Sequence, residues 1–141
     1  LGAGYDLALV NVDNKIQLPC SIAVPNENTR FDDNCKVVRR IRESAEFEVS
    51  TTQVVQSNGA DSNCKKYAKQ ISNEKLVECG QANVCKGQSG AVVLCPDNND
   101  LDKFYVRDIS SWADHFCESN KDYLFTKVSQ YFDWINSTIW H

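Results

Sequence analysis

Gly87-Gln88-Ser89-Gly90 sets a serine hydroxyl between two glycines, and Cys85 and Cys95 flank the group. A serine becomes a nucleophile only where a base takes its proton and backbone N–H groups receive the oxyanion formed on the attacked carbonyl. Glycine at 87 allows the tight turn that such donors need. Taken alone, Gly-x-Ser-Gly fits a surface turn between bridged cysteines equally well. Two histidines could serve as bases, His115 and His141, and they lie far apart in the sequence. His115 reads as an exposed loop residue and His141 as a frayed last residue. Asp6, at the start of an apolar run, reads by itself as a surface aspartate beginning a strand.

Seven cysteines carry the next signal: Cys20, Cys35, Cys64, Cys79, Cys85, Cys95 and Cys117. A zinc site needs close pairs such as Cys-x-x-Cys with histidines at helical spacing, and neither is present. The count therefore reads as disulfides in a secreted, extracellular protein, with no metal and no cofactor. Because seven is odd, at least one thiol is free or pairs with another chain. A net charge of -4 gives no support for nucleic-acid binding. No run of 18 apolar residues offers a membrane span. No signal peptide is visible, and the start at Leu1 reads as a processed or cleaved end.

The elements that would position these groups are short. Tyr5 to Val10 reads as a buried strand and Glu46 to Val55 as a half-buried one. Asn26 to Asn34 is a polar surface loop, and Asn58-Gly59 is a turn. Asp61 or Ser62 could cap a helix through Cys64, Tyr67 and Ala68. Ala91 to Leu94 is an apolar strand ended by Pro96, with further strands at Phe104 to Ile109 and Tyr123 to Val128. Val128, Phe132, Ile135 and Ile139 then fall at i, i+4, i+7 and i+11, one stripe of an amphipathic helix. Short strands and a terminal helix predict a mainly β architecture, a barrel or a sandwich.

The stretch Cys85-Lys86-Gly87-Gln88-Ser89-Gly90-Ala91-Val92-Val93-Leu94-Cys95 resembles the trypsin and chymotrypsin family of serine proteases. Four further segments resemble that family in the same order: Tyr5 to Leu9 with Leu18-Pro19-Cys20, Ser110 to Ala113, Tyr123 to Val128, and Tyr131 to Ile139. The resemblance runs the length of the chain. It implies that residues 1–141 are the carboxy-terminal portion of a chymotrypsin-like protease domain. The implied fold is the second, six-stranded antiparallel Greek-key barrel, closed by an α-helix. It also implies Ser89 as nucleophile, the amides of Gly87 and Ser89 as oxyanion hole, and Asp6 as the acid that orients a histidine. The implied specificity pocket is formed by Asn83, Ser111, Trp112, Ala113 and Tyr123. The implied disulfides are Cys35–Cys95, Cys64–Cys79 and Cys85–Cys117, leaving Cys20 for an interchain link.

Several positions depart from the family pattern. Gln88 stands where a carboxylate normally pairs with the amino terminus freed by activation. Asn83 lacks the acidic pocket floor that selects Lys or Arg. Tyr123 and Ala113 replace glycines of the pocket wall. Lys36 to Arg40 stands where relatives carry a Gly-Trp-Gly turn, and Ala91-Val92 replaces Gly-Pro. The family histidine belongs to the other barrel, so the expected partner is a second polypeptide carrying that barrel. These features predict a protease homologue that binds other extracellular proteins through a degenerate site. The alternative is an active two-chain endopeptidase using Ser89, Asp6 and a histidine from the missing half. Asn136-Ser137-Thr138 is an N-glycosylation sequon on the closing helix.

Overall fold

The computed structural model describes residues 5–15, 17, 22–41, 43–56, 63–70, 74–81, 84, 88–112 and 122–140. Seven strands run in chain order: β1 (Asn34–Arg40), β2 (Phe47–Gln53), β3 (Val55–Gln56), β4 (Val77–Gln81), β5 (Val92–Pro96), β6 (Phe104–Trp112) and β7 (Tyr123–Lys127). Helix α1 spans Asn63–Ala68, and α2 spans Phe132–Ile139 after a 3₁₀ turn at Val128–Tyr131. The sheet order is β2-β1-β5-β6-β7-β4-β3, and every pair is antiparallel.

Only Val54 separates β2 from β3, so the two are ends of one bent strand. One end pairs with β1 and the other with β4. Counted once, that strand closes a six-stranded barrel. The step from β4 to β5 leaves the neighbouring strand and lands beside β1, which gives the Greek-key connection.

Alternate residues fill the barrel, as the two-residue strand period requires. Cys35 and Val37 of β1, Val93 and Cys95 of β5, and Tyr123 and Phe125 of β7 form one cluster with Val54, Val84 and Ala91. A disulfide joins Cys35 to Cys95 inside it. Strand β7 is buried on both faces, because Leu124 points outward into a second cluster with Cys64, Val77 and Cys79. There a disulfide between Cys64 and Cys79 ties α1 to β4. The third cluster, Val128, Tyr131 and Ile135, docks the terminal helix on Leu7, Leu76, Val106 and Ile109.

Some expectations are corrected. Residues 5–10 form no strand and are mostly exposed; Asp6 and Leu7 are held by side chains rather than by a ladder. Lys36 to Arg40, which departs from the family's turn sequence, lies within β1, and β5 ends at Pro96 as expected, in register with Phe104. The stripe on the closing helix is rephased. A 3₁₀ turn has about three residues per turn, so Tyr131 takes the inward place expected of Phe132, and Ile139 ends exposed. Asn58-Gly59 and the capping pair Asp61 and Ser62 lie outside the described residues.

One acid sits in the wall of this barrel. Asp108 of β6 has no exposed surface. Lys127 lies opposite it in the ladder, and Arg107 Nε is 3.3 Å from Oδ2 and 3.7 Å from Glu78 Oε1. A cavity of about 220 Å³ beside the group is lined by Glu27, Phe31, Glu78, Arg107 and Lys127. Ionised, neither Asp108 oxygen accepts a hydrogen bond among the described residues; protonated, it donates to Glu78. Burial above all, then the hydrogen bond and charge of Glu78, hold this carboxyl well above the usual carboxylate range, against the pull of Arg107 and Lys127.

The folded chain thus keeps a proton that the unfolded chain gives up. Asp108's contribution to stability is full below the usual carboxylate range and is lost as pH rises through the folded value. Asp108→Asn is expected to flatten that slope and to raise stability by about 1–3 kcal/mol at the top of the window. Urea unfolding across a pH series measures both, and an unchanged slope would assign it to another group.

Candidate active site

Residues Gln88 to Ala91 make a β-turn, closed by the Ala91 N–H donating to the Gln88 carbonyl at 3.0 Å. Gly90, its third residue, has φ +87°, the left-handed conformation that favours glycine in such a turn. Two bonds lash the turn to β6: Gly90 N–H to the Ser110 carbonyl at 2.7 Å, and Ser110 N–H to the Ala91 carbonyl at 2.8 Å. Ser89 therefore stands exposed at the end of β5, and its Oγ donates to the Ser111 carbonyl at 3.1 Å.

Ser111 also holds the acid. Its Oγ donates to Asp6 Oδ2 at 2.6 Å, while the buried Thr126 hydroxyl donates to the Asp6 main-chain carbonyl at 3.2 Å. Leu7 packs into the helix-docking cluster one residue further on. Asp6 is thus anchored by hydroxyls from β6 and β7 and by an apolar neighbour, without belonging to a strand. Burial pushes the Tyr131 phenol up, with smaller contributions from the charges of Tyr5 and Asp6.

The arrangement brings Ser89, Ser111 and Asp6 together at the open end of β6. It presents a hydroxyl and a carboxylate to one region, the partial apparatus of acyl transfer. Gln88 turns away, its Nε2 donating to the Arg40 carbonyl at 3.2 Å. Tyr123 is only 2% exposed and packs in the barrel cluster with Val84, Ala91 and Phe125. Asn83, Gly87, Ala113, Cys20, Cys85, Cys117, His115 and His141 lie outside the described residues. Trp112 contributes the last backbone position of β6. Among the described residues no group of His, Cys, Asp and Glu could hold a metal ion.

Thr126 was not anticipated as a site residue. Its signal was a hydroxyl in the otherwise apolar Tyr-Leu-Phe-Thr-Lys strand, where a buried polar group needs a partner. Arg40 marks only a departure from the family pattern in the sequence, and its role as an acceptor is a main-chain one that no side-chain pattern announces.

The family model for Trypsin matches residues 2–135. Complement factor I of Mus musculus is 33% identical over 79 residues, covering 52% of this chain and 13% of that protein. Urokinase-type plasminogen activator of Gallus gallus is 24% identical over 131 residues, covering 84% of this chain and 29% of that protein. Transmembrane protease serine 5 of Homo sapiens is 34% identical over 59 residues, covering 42% of this chain and 12% of that protein. The chain therefore spans less than a third of the length of each of these relatives. No helix among the described residues is long and apolar enough to cross a membrane.

The turn carrying Ser89 depends on backbone, not space, at Gly90: an added Cβ would meet nothing within 4 Å. Gly90→Ala is expected to destabilise the protein by about 1–2 kcal/mol through the left-handed conformation alone. Gly90→Asn should cost less, since asparagine tolerates that region. Urea denaturation of the two variants checks the order.

Proposed function

The chain belongs to the trypsin family of serine proteases, and from that premise we propose that it is the serine-bearing half of a secreted protease homologue that acts by binding proteins. Tyr123 carries this reading. By resemblance it occupies a wall of the specificity pocket where the family has glycine, and its ring is buried in the barrel cluster. A substrate side chain would have to displace that ring from its packing, at a cost of roughly 3–5 kcal/mol by analogy with aromatic truncation. Gln88 adds to the case. It is neutral and engaged with a main-chain carbonyl, so it cannot supply the charge that the family uses to draw in an activating amino terminus.

The complementary half, carrying the histidine, is on this reading a second polypeptide. Exposed apolar side chains are available to it at Leu9, Val10 and Val12 and at Phe47 and Val49. Cys20 is the thiol that would link the two chains covalently. The disulfides at Cys35–Cys95 and Cys64–Cys79 support an oxidising, extracellular setting. Asn136 is then open to N-glycosylation.

One observation favours a second reading, an active two-chain endopeptidase. Ser89 and Asp6 are both held on Ser111, so nucleophile and acid share one anchor. A histidine from the other half would sit between them, take the Ser89 proton and be oriented by Asp6. Without it, the loss in kcat is on the order of a millionfold.

A serine-directed fluorophosphonate probe separates the two. Applied to the intact, non-reduced protein, it is expected to leave Ser89 unlabelled, and Ser89→Ala is expected to leave protein binding unchanged. Labelling at Ser89 that Ser89→Ala abolishes would establish the enzyme instead. Gel mobility tests the linkage: a heavier non-reduced species should resolve on reduction into this chain and its partner.

A further inference from the structure

The sequon on α2 is the one Asn-x-Ser/Thr triplet in the sequence, and its surroundings say more than the triplet does. Asn136 is exposed. Its Oδ1 accepts a hydrogen bond from the indole N–H of Trp140, one turn on, at 3.1 Å. The hydroxyls of Ser137 and Thr138 both donate back to the Trp134 carbonyl, at 3.0 and 2.7 Å, and so do not compete for the Asn136 amide. The oxygen of that amide is occupied, and the residue as a whole is exposed. Nitrogen is the atom that carries an N-linked sugar.

Trp140 is itself 77% exposed, the second-highest value among the large apolar side chains of the described residues. Its N–H edge is pinned on Asn136, which fixes the ring and leaves the face open. An aromatic face is the electron-rich part of the ring and attracts the slightly positive C–H groups that line one side of a pyranose. A ring already held in place gives up little further freedom on making such a contact.

We propose that Asn136 carries an N-linked glycan and that the indole face of Trp140 is the seat of its first N-acetylglucosamine. The inference rests on the secretory reading given above. In the modifying step Asn136 Nδ2 attacks C1 of the first sugar of a lipid-pyrophosphate-linked oligosaccharide. The N–C1 bond forms, and the C1–O bond to pyrophosphate breaks, its electron pair leaving on the phosphate. One Nδ2 proton is released. The carbonyl oxygen takes no part, so the bond from Trp140 survives modification and places the indole beside the new sugar. The glycan then covers an aromatic surface at the end of α2 that the fold itself leaves in water.

The full chain, secreted from a eukaryotic host together with its histidine-bearing half, provides the test. Intact mass before and after peptide N-glycosidase should fall by one glycan, with peptide mapping placing an Asn-to-Asp conversion at 136. Thermal unfolding of the glycosylated and enzymatically deglycosylated forms then reads the seat. The glycan is expected to raise Tm by about 2–4 °C in the wild type, an ordinary contact's worth for a domain of this size. In Trp140→Ala that increment should vanish. Acrylamide quenching of tryptophan fluorescence should likewise fall on glycosylation in the wild type alone. An unmodified Asn136 in a host that fills a control sequon overturns the site. A glycan whose Tm increment survives Trp140→Ala overturns the seat while leaving the secretory reading intact. Cysteines 35, 64, 79 and 95 recovered as free thiols would overturn that reading itself.

Discussion

A β-sheet leaves two edges of unpaired N–H and C=O groups unless it closes on itself, and here closure runs through Val54. The residue is buried in the barrel cluster at the point where one strand bends. Its two sides serve different neighbours: Phe47–Gln53 pairs with β1, and Val55–Gln56 pairs with β4. Without the bend, β4 would be an open edge and the barrel a curled sheet. The Cys35–Cys95 bridge reinforces the closed form by joining β1 to β5 inside the barrel, across 60 residues of sequence.

Closure decides where the candidate site lies. The segment at residues 5–10 adds no strand to this sheet. It is held instead by side chains at the ends of β6 and β7, where Ser111 takes the Asp6 carboxylate and Thr126 takes its carbonyl. The Ser89 turn is fastened to the same end of β6 by main-chain bonds. Two residues distant in sequence, 6 and 89, thus meet on one strand terminus. The site owes its geometry to hydrogen bonds that a family relative and an inactive homologue could share. Charge and free space are what the two would not share, and the proposed function rests on those features at Gln88 and Tyr123.

The same closed barrel tolerates a buried acid. Asp108 lies between Lys127 across the ladder and Glu78 on β4, with Arg107 beside it. A carboxyl group in such a place lowers its cost by keeping its proton and donating it to Glu78, which turns two like charges into one hydrogen bond. The arrangement lies away from Ser89 and concerns the stability of the wall rather than its chemistry.

Local patterns in the sequence determined a good deal. The Cys85 to Cys95 stretch marked the serine turn, the apolar runs marked β5, β6 and β7, and the 3.6-residue period marked the closing helix, because each depends on neighbours within a few positions. Strands β1 and β4 were not legible. In Lys-Val-Val-Arg-Arg the two valines fall on opposite faces, so no apolar alternation shows, and in Val-Glu-Cys-Gly-Gln the apolar signal is too short for a period to emerge. Their pairing partners lie far along the chain, and those partners, not local propensity, make them strands. The apolar run at residues 5–10 carries strand propensity and forms no strand, because it has no ladder partner among the described residues. The serine turn itself was therefore written in the sequence. That Ser89 and Asp6 share Ser111, that Thr126 secures the acid, and that the Tyr123 ring is packed into the barrel were decided only by the tertiary structure, because each depends on which strand ends a closed barrel brings side by side.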